Sequence, residues 1–472
     1  MEAIPVVVIF DVGKTNKKIF LFDENYQIVF ERSARFIETC DEAGDACENL
    51  ESLRLSIFDS LREIMRRKEF IIKAVNFSTY GASLVYIDEY GKPLAPLYNY
   101  LKPYPEVLKA EFYAQYGGEQ KIASETASPI LGSLNSGMQL YRMKKEKPEL
   151  FEKIHYALHL PQYLSYLVSG IECSDLTSIG CHTQLWDFTH ENYHDWVIKE
   201  GLDKKLAPIH YADEVFPAEF PGNLYKVGVG LHDSSAALIP YLINFHEPFI
   251  LISTGTWCIT MNPFNANPLS AEELEQDCLC YLQFKGKPVK ASRLFSGYEH
   301  EQQLKRIGAH FGQGVSRYRN MRYNAAIADG LFEALKSDAI KEAGLPEQEK
   351  LMNLGSKNAT FGSRDLSVFA TDEEAYHQFM LDIVLQQHIA SSLVMNGDTV
   401  KRIFVDGGFS KNAIYMNLLA RLFPKMEVFA ASMAQATAIG TALAIHEHWN
   451  SKPMPNDIIE LKYYATSNDK VV

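Results

Sequence analysis

Four short segments of this 472-residue chain combine glycine with hydroxyl, amide or acidic side chains, a combination suited to phosphate chemistry. The first is the turn from Asp11 to Lys18, which contains Gly13, Thr15 and Asn16. Glycine lets backbone N–H groups approach a phosphate, while Thr15, Asn16 and Lys18 can donate hydrogen bonds or supply positive charge. Asp11 would repel a phosphate, so we expect it to bind hydrated Mg²⁺ instead. An ordinary polar hairpin turn is the alternative interpretation.

A second turn of this kind, Ser253 to Trp257, lies in the other half of the chain. The hydroxyl groups of Thr254 and Thr256 flank the flexible Gly255. If the two halves face each other, this turn could bind a phosphate from the side opposite to the first turn. Taken alone, the segment is also consistent with a plain hairpin.

A third segment, Asp406 to Asn412, joins a predicted strand to a predicted helix. Gly407 and Gly408 permit close approach of the backbone to a base or ribose, and the start of a helix favours anionic groups. The segment is not GxGxxG, so a dinucleotide-binding fold is not indicated. A simple strand-to-helix turn is the alternative.

The fourth segment runs from Gly230 to Ser235 and contains His232 and Asp233. Transfer of a phosphoryl group to an alcohol needs a carboxylate that accepts the hydroxyl proton, and Asp233 could do this. Because Asp233 precedes a predicted helix over residues 234–242, capping that helix is its alternative role. His232 could equally be a packed histidine.

The hydrophobic pattern predicts the strands and helices that position these turns. The apolar runs Val6–Phe10 and Ile19–Phe22 predict strands on either side of the first turn. A similar strand-turn-strand pattern spans residues 248–260, and a strand over 402–405 precedes the glycine pair. The order hairpin, helix, strand thus occurs in both halves. The sequence therefore predicts an α/β fold with two related domains, residues 1–244 and 245–472.

Composition argues against several classes of protein. The formal net charge is -13, and nucleic-acid binders concentrate basic residues, so we expect no nucleic-acid partner. The seven cysteines have no repeating spacing, so no zinc site is predicted. No apolar stretch approaches the ~18–20 residues of a membrane span, and the N-terminus lacks a secretion signal. We expect a cytoplasmic protein without a membrane partner.

Taken in order, the four segments resemble the FGGY family of carbohydrate kinases, and the resemblance covers nearly the whole chain. The matching residues are Asp11, Gly13, Thr15 and Lys18 of the first phosphate motif, Gly230, His232 and Asp233 of the base motif, Ser253, Gly255 and Thr256 of the second phosphate motif, and Gly407, Gly408, Ser410, Lys411 and Asn412 of the adenosine motif. Four motifs in register make the resemblance specific.

The resemblance implies two actin-like ATPase domains of the ribonuclease H type, with a cleft between them. ATP would bind mainly to the second domain at Gly407 and Gly408, with its γ-phosphate between Thr15 and Thr256. Mg²⁺ would bridge the phosphates near Asp11.

The resemblance also implies that a small sugar binds to the first domain, with Asp233 as catalytic base. Tyr80, Gly81 and Ala82 follow a predicted strand and, with His232, are candidates for lining the sugar pocket. Closure of the domains would exclude water from the reaction.

The chain departs from the family pattern at two places. The last helix begins with Gln435-Ala436 where the family usually has Glu-Ala, and Tyr98 to Lys102 replaces a common Trp-x-Asp-x-Arg motif. The motifs are most similar to those of the branch acting on deoxy-ketoses such as L-rhamnulose and L-fuculose; xylulose, gluconate and glycerol are alternative substrates. A non-catalytic actin- or chaperone-like ATPase that drives assembly is the alternative of another class. The oligomeric state stays open, with a homodimer as one option.

Overall fold

The computed structural model describes residues 3–14, 17–34, 38–219, 222–341, 361–395, 397–433 and 435–465. Two seven-stranded sheets, one from each half of the chain, form the framework on which the helices pack. This arrangement confirms the predicted α/β class. Among the described residues, no helix is long and apolar enough to cross a lipid bilayer.

The strands of the first half are β1 (Ile4–Val12), β2 (Lys17–Asp23), β3 (Ile28–Ala34), β4 (Glu38–Cys40), β5 (Ala46–Glu48), β6 (Phe70–Thr79), β7 (Leu84–Ile87), β8 (Tyr156–His159), β9 (Ser174–Asp175), β10 (Trp186–Asp187), β11 (Asn192–Tyr193), β12 (Ile209–His210), β13 (Val215–Glu219), β14 (Leu224–Gly228) and β15 (Leu231–His232). Its helices are α1 (Leu50–Met65), α2 (Glu106–Tyr116), α3 (Glu119–Glu125), α4 (Ser136–Glu146), α5 (Pro148–Lys153), α6 (Leu160–Ser169), α7 (Leu176–Ile179), α8 (Asp195–Lys199) and α9 (Asp233–Asn244).

The strands of the second half are β16 (Phe249–Thr254), β17 (Cys258–Asn262), β18 (Cys278–Leu282), β19 (Pro288–Leu294), β20 (Arg402–Gly407), β21 (Glu427–Ser432) and β22 (Glu460–Tyr464). Its helices are α10 (Ala271–Glu275), α11 (Ser296–Phe311), α12 (Val315–Arg319), α13 (Ala325–Lys341), α14 (Asp372–Val394), α15 (Ala413–Leu422), α16 (Ala436–Ala444) and α17 (His446–Trp449). The strands predicted around both phosphate turns and before the glycine pair are all present, and the helix predicted after Asp233 is α9.

The two large sheets share one plan. In the first, the order is β13-β14-β6-β1-β2-β3, with β15 also beside β6. In the second, it is β18-β19-β17-β16-β20-β21-β22. Each has an antiparallel meander that continues into parallel strands, β1 beside β6 and β16 beside β20. The central strand β1 is a continuous apolar run because both of its faces are covered.

Helices α9 and α16 lie between the two sheets. Ala236 and Ile239 of α9 pack into the core of the first sheet, while Leu238 and Tyr241 pack into the core of the second. Helix α16 comes from the end of the chain but packs on α9 and on β1. A Cβ atom on Gly440 of α16 would lie 1.8 Å from the carbonyl oxygen of Ala236. Only glycine permits this close approach of the two helices.

We therefore expect Gly440→Ala to destabilise the protein by about 1–3 kcal/mol, because the added methyl group forces α9 and α16 apart. Thermal unfolding followed by circular dichroism measures the effect. Gly330→Ala in α13 is the matched control, because a Cβ atom there meets open space. It should be neutral or stabilise by up to about 1 kcal/mol, since alanine favours helix more than glycine does. Equal midpoints for the two variants would contradict the close contact.

Candidate active site

Three neighbouring parallel strands of the first sheet end at the same edge and bring two carboxyl groups together. Asp11 lies at the end of β1, opposite Ser78 of β6, and β15 runs beside β6 directly before Asp233. Ser78 Oγ donates to Asp11 Oδ1 at 3.2 Å. The structure thus brings together Asp11 and Asp233, which the sequence predicted for metal and base.

Both carboxyl groups are hard to ionise. Burial, and then the nearby charge of Asp233, raise the pKa of Asp11 to about 6. Burial alone raises the pKa of Asp233 to about 6, although hydrogen bonds from Ser234 oppose the shift. Two carboxylates that share a poorly solvated site disfavour each other's charge. The two carboxyl groups are therefore suited to binding a cation or to accepting a proton at this edge.

Asp233 is the first residue of α9, and His232 precedes the helix without forming a side-chain cap. His232 Nε2 lies 3.2 Å from Asp233 Oδ1 and 3.1 Å from Cys181 Sγ. Burial lowers the pKa of His232 to about 3, so the ring is neutral at pH 7. A Cβ atom on Gly81 would lie 2.9 Å from Cys181 Sγ and 3.2 Å from the His232 ring. Gly81 thus leaves the room that His232 needs beside Asp233.

A second cluster near this edge joins the predicted Tyr80 and Lys14 of the first turn to Glu48 and Tyr100, which the sequence analysis missed. Tyr80 donates its hydroxyl to Glu48 Oε1 at 2.6 Å, and Glu48 is buried. Lys14 Nζ lies 3.6 Å from Glu48 Oε1, and it lies 5.3 Å and 5.4 Å from the ring centres of Tyr80 and Tyr100. Burial, and then the nearby charge of Asp233, raise the pKa of Tyr100, so Tyr100 lies near the candidate base.

These residues are distant in the chain and share no motif, so no pattern in the sequence linked them. Tyr100 stands at the position of the Asp in the family's Trp-x-Asp-x-Arg motif, and this departure was the one available signal. Ala82, predicted beside Gly81, has a left-handed backbone conformation with φ of 59°. Such a conformation is uncommon for a residue other than glycine and asparagine, and it often occurs at functional sites.

The second sheet brings its two glycine turns together in the same way. Thr254 at the end of β16 lies opposite Gly407 at the end of β20. Gly407 has φ of 89°, and a Cβ atom on it would lie 2.0 Å from the Thr254 carbonyl oxygen. Gly408 N donates to the same oxygen at 2.9 Å. The glycine pair is therefore packed directly on the second phosphate turn.

The two threonines of this turn differ in their hydrogen bonds and in their exposure to solvent. Thr254 Oγ1 donates to the Asp406 carbonyl at 2.6 Å and accepts from Phe409 N at 2.9 Å, so its hydroxyl holds the loop. Gly255 and Thr256 are exposed at the strand end. Of the two hydroxyl groups, that of Thr256 is the one with access to a ligand.

The remaining predicted residues are a helix cap, a lysine in an ion pair and two residues that the structure does not describe. Asn412 caps α15 by accepting from Ile414 N and Tyr415 N. Lys18 Nζ lies 3.1 Å from Glu31 Oε1, although its charge still lowers the pKa of Asp11 slightly. Thr15 and Asn16 lie outside the described residues.

No group of three or more His, Cys, Asp or Glu side chains in the described ranges is arranged to hold a metal ion. Asp11 therefore has no preformed protein cage around it. It fits instead a Mg²⁺ ion whose other ligands are water and phosphate, which is the usual coordination of Mg²⁺ at nucleotide sites.

An exposed aromatic stack lies beside the second phosphate turn. The ring centre of Phe295 is 4.5 Å from that of Trp257 and 4.7 Å from that of Tyr298. The guanidinium of Arg293 lies 5.3 Å from the Trp257 ring centre and pairs with Asp277. These three rings offer an apolar surface next to Thr256.

Comparison with known proteins agrees with this geometry. Residues 6–228 match the N-terminal domain of the FGGY family of carbohydrate kinases, and residues 246–332 and 350–453 match the FGGY carbohydrate kinase C-terminal domain. A carbohydrate kinase from Novosphingobium aromaticivorans superposes with a TM-score of 0.76 at 22% identity, covering 98% of this chain and 97% of that one. A ligand-bound xylulose kinase from Lactobacillus acidophilus gives 0.74 at 16% identity, covering 98% and 94%.

In sequence, a rhamnulokinase from Halalkalibacterium halodurans is 23% identical over 262 residues. The match covers 53% of this chain and only about half, 54%, of that relative.

The two matched domains and the fold are those of the FGGY carbohydrate kinases, an actin-like ATPase fold, as the resemblance implied. The chain belongs to the FGGY family of carbohydrate kinases, enzymes that use ATP as the phosphoryl donor.

The raised pKa of Asp233 has a consequence for stability. Because the folded protein binds this proton more tightly than the unfolded chain does, the stability that the proton provides is lost as pH rises through about 6. Asp233→Asn should therefore raise the midpoint of thermal unfolding at pH 7 by roughly 2–4 °C, the shift expected for about 1 kcal/mol. The gain should shrink as pH falls below 6 and vanish below about pH 3, where the carboxyl is protonated in both the folded protein and the unfolded chain.

Asp187→Asn is the control, for which we expect a change in unfolding midpoint of the opposite sign. Although burial opposes it, hydrogen bonds from His190 and from backbone N–H groups hold the pKa of Asp187 below its ordinary value. Its contribution to stability is present at pH 7 and is lost at acid pH, so this variant should lower the midpoint at pH 7. If Asp233→Asn also lowered the midpoint of thermal unfolding at pH 7, the charged form of Asp233 would not be unfavourable in the folded protein.

Proposed function

We propose that this protein transfers the γ-phosphoryl group of ATP to a hydroxyl of a small neutral sugar, with Asp233 as the base. The observation that carries the proposal is the Asp233 carboxyl at the start of α9, which is about one-third exposed and whose pKa is raised to about 6 by partial burial. A base with a pKa near the working pH is mostly ionised yet still accepts a proton. The neighbouring Gly81 and His232 support its orientation.

In the proposed reaction, the sugar hydroxyl lies against Asp233, which accepts its proton as the oxygen attacks the γ-phosphorus. The bond from that phosphorus to the oxygen bridging it to the β-phosphate breaks, and ADP leaves. Tyr80, Gly81 and Ala82 would line the sugar site from the neighbouring strand end. Because the pKa of His232 is about 3 and that of Asp233 about 6, the imidazole is the weaker base and would act by orientation alone.

The nucleotide would lie on the edge of the second sheet. Gly407 and Gly408 are exposed and would contact the adenosine through their backbone, and exposed Thr256 is a candidate donor to the γ-phosphate. Thr15 and Asn16 of the first phosphate motif would contact the same phosphate. Mg²⁺, held near Asp11 through water, would neutralise charge on the phosphates.

Charge near the base favours a neutral substrate. Asp11 and Asp233 lie together at the proposed sugar site, and their charges would repel a sugar acid such as gluconate. The forms of the two phosphate motifs, and the 23% identity to a rhamnulokinase over about half of each chain, support a deoxy-ketose. We therefore propose a ketose such as L-rhamnulose or L-fuculose as the substrate, ahead of xylulose, glycerol or gluconate.

Replacing the base tests the reaction. Asp233→Asn should lower kcat for sugar phosphorylation by about 10²–10⁴-fold, because the amide cannot accept the proton. In the unaltered enzyme, kcat/KM for the sugar should fall by about tenfold for each pH unit below 6, as Asp233 of the free enzyme becomes protonated. ADP release with a panel of ketoses, polyols and gluconate measures both effects.

Asp382→Asn provides the control for the loss of a buried acid. Burial raises the pKa of Asp382 to about 7, but it lies on α14 beside Arg364. Its variant should keep full kcat per folded molecule.

ATP hydrolysis that proceeds equally with and without sugar, and yields no phosphosugar, would instead support an assembly-driving ATPase.

The two threonines of the second phosphate turn should separate binding from folding. Thr256→Val should lower kcat/KM for ATP by about 10²-fold, as expected for loss of one donor to a charged group, with an unchanged unfolding midpoint. Thr254→Val should destabilise the protein by about 1–3 kcal/mol, because Phe409 N loses its acceptor. Steady-state kinetics and thermal unfolding of both variants check this assignment. A stability loss confined to Thr256→Val would reverse it.

A further inference from the structure

Lys14 belongs to the first phosphate turn, but its side chain extends toward the segment that contains Glu48. Its Nζ lies 3.6 Å from Glu48 Oε1. Burial raises the pKa of Cys47, the residue before Glu48, and the charge of Lys14 is among those that oppose this shift. Lys18 of the same turn instead lowers the pKa of Asp11. The two lysines therefore act on different groups.

Glu48 is shared by three side chains. Lys17 Nζ lies 2.8 Å from Glu48 Oε2, and the Tyr80 hydroxyl donates to Oε1 at 2.6 Å. The side chains of Glu48 and Lys17 are 5% and 8% exposed, whereas that of Lys14 is 25% exposed. One buried carboxylate thus faces two ammonium groups, so it cannot neutralise both. Lys14 is the one of the two that a ligand can reach.

The ammonium of Lys14 has no hydrogen-bond acceptor among the described residues. Its contact with Glu48, at 3.6 Å, is too long for a hydrogen bond. Its other neighbours are the rings of Tyr80 and Tyr100, with centres 5.3 Å and 5.4 Å away. Such rings attract a cation but do not replace the acceptors that its three N–H groups require. A largely buried ammonium in this state indicates that a ligand oxygen is missing.

The two rings connect Lys14 to the proposed sugar site. Tyr80 directly precedes Gly81, where the absent side chain leaves room for His232 beside the base. Tyr100 lies near Asp233, whose charge adds to burial in raising the pKa of Tyr100. A sugar whose reacting hydroxyl lies at Asp233 could therefore place another of its oxygen atoms at Lys14.

We propose that Lys14 is a specificity-determining residue that donates hydrogen bonds to an oxygen of the acceptor sugar other than the reacting hydroxyl, and that it does not bind the phosphates of ATP. The inference rests on the proposed function and extends it, because it assigns one residue of a phosphate turn to the sugar. Hydroxyl and carbonyl oxygens of a ketose both accept such hydrogen bonds.

Lys14→Met tests this role, because methionine keeps an unbranched side chain but removes the charge and the donors. For whichever of L-rhamnulose, L-fuculose and D-xylulose the unaltered enzyme phosphorylates, KM should rise about 10–100-fold, as expected for one hydrogen bond from a charged group. KM for ATP should stay within about threefold. The midpoint of thermal unfolding should change little, because Glu48 keeps Lys17 and Tyr80 as partners.

Lys145→Met is the matched control. Lys145 Nζ lies 3.5 Å from Glu200 and 5.0 Å from the ring centre of Tyr141, and Glu200 also pairs with Lys144 at 2.7 Å. This arrangement repeats that of Lys14, but none of its members belongs to the proposed site. Lys145→Met should leave KM for both substrates unchanged, and the proposal is overturned if it raises KM for the sugar as much as Lys14→Met does.

Binding without turnover separates this inference from the proposed reaction. Isothermal titration of the Asp233→Asn protein with the same three ketoses measures a dissociation constant, which the added Lys14→Met should raise about 10–100-fold. If the unaltered protein binds a ketose but forms no phosphosugar, the proposed reaction is wrong, and these dissociation constants alone decide the role of Lys14.

Three further results overturn the proposal. The first is a tenfold rise in KM for ATP with an unchanged KM for the sugar, which would make Lys14 a phosphate ligand. The second is a Lys14→Met enzyme with both KM values unchanged, since the contacts with Glu48 and the rings would then be structural alone. The third is the failure of all three ketoses to bind to either protein.

Discussion

The packing of α9 between the two sheets is the constraint on which the site depends. Side chains of α9 contribute to the hydrophobic cores of both halves. Gly440 lets α16 pack directly against the backbone of α9. The first residue of such a helix cannot move away without disturbing both cores. Asp233 is therefore held near Asp11 although their charges disfavour each other. The cost of that proximity is offset by apolar burial elsewhere along the helix.

The sequence predicted much of this arrangement because turns, strands and glycine have strong local signals. The apolar runs around Asp11 and the glycine pair before α15 are short-range patterns, and the structure has strands at each of them. Parallel strands with adjacent ends then bring Asp11 and Asp233 together. The cluster of Lys14, Glu48 and Tyr100 had no such signal, because its members meet only through tertiary packing.

The roles of the two threonine hydroxyl groups also could not be predicted from the sequence. Thr254 and Thr256 flank one glycine and were indistinguishable as phosphate ligands from their sequence alone. The hydrogen bonds of Thr254 go to Asp406 and Phe409, which are far away in the chain, so its role depends on the pairing of β16 with β20. Sequence periodicity carries no information about which of two adjacent polar groups the partner strand will use.

The contact between Gly81 and Cys181 constrains how this site can change over evolutionary time. A side chain at position 81 would meet the sulfur first and the His232 ring next. Replacement of Gly81 becomes tolerable only after residue 181 has become smaller and the ring has gained room to shift. A larger residue at 181 in turn makes glycine at 81 obligatory. The two positions are thus epistatic, and substitutions there are accessible in one order and blocked in the other.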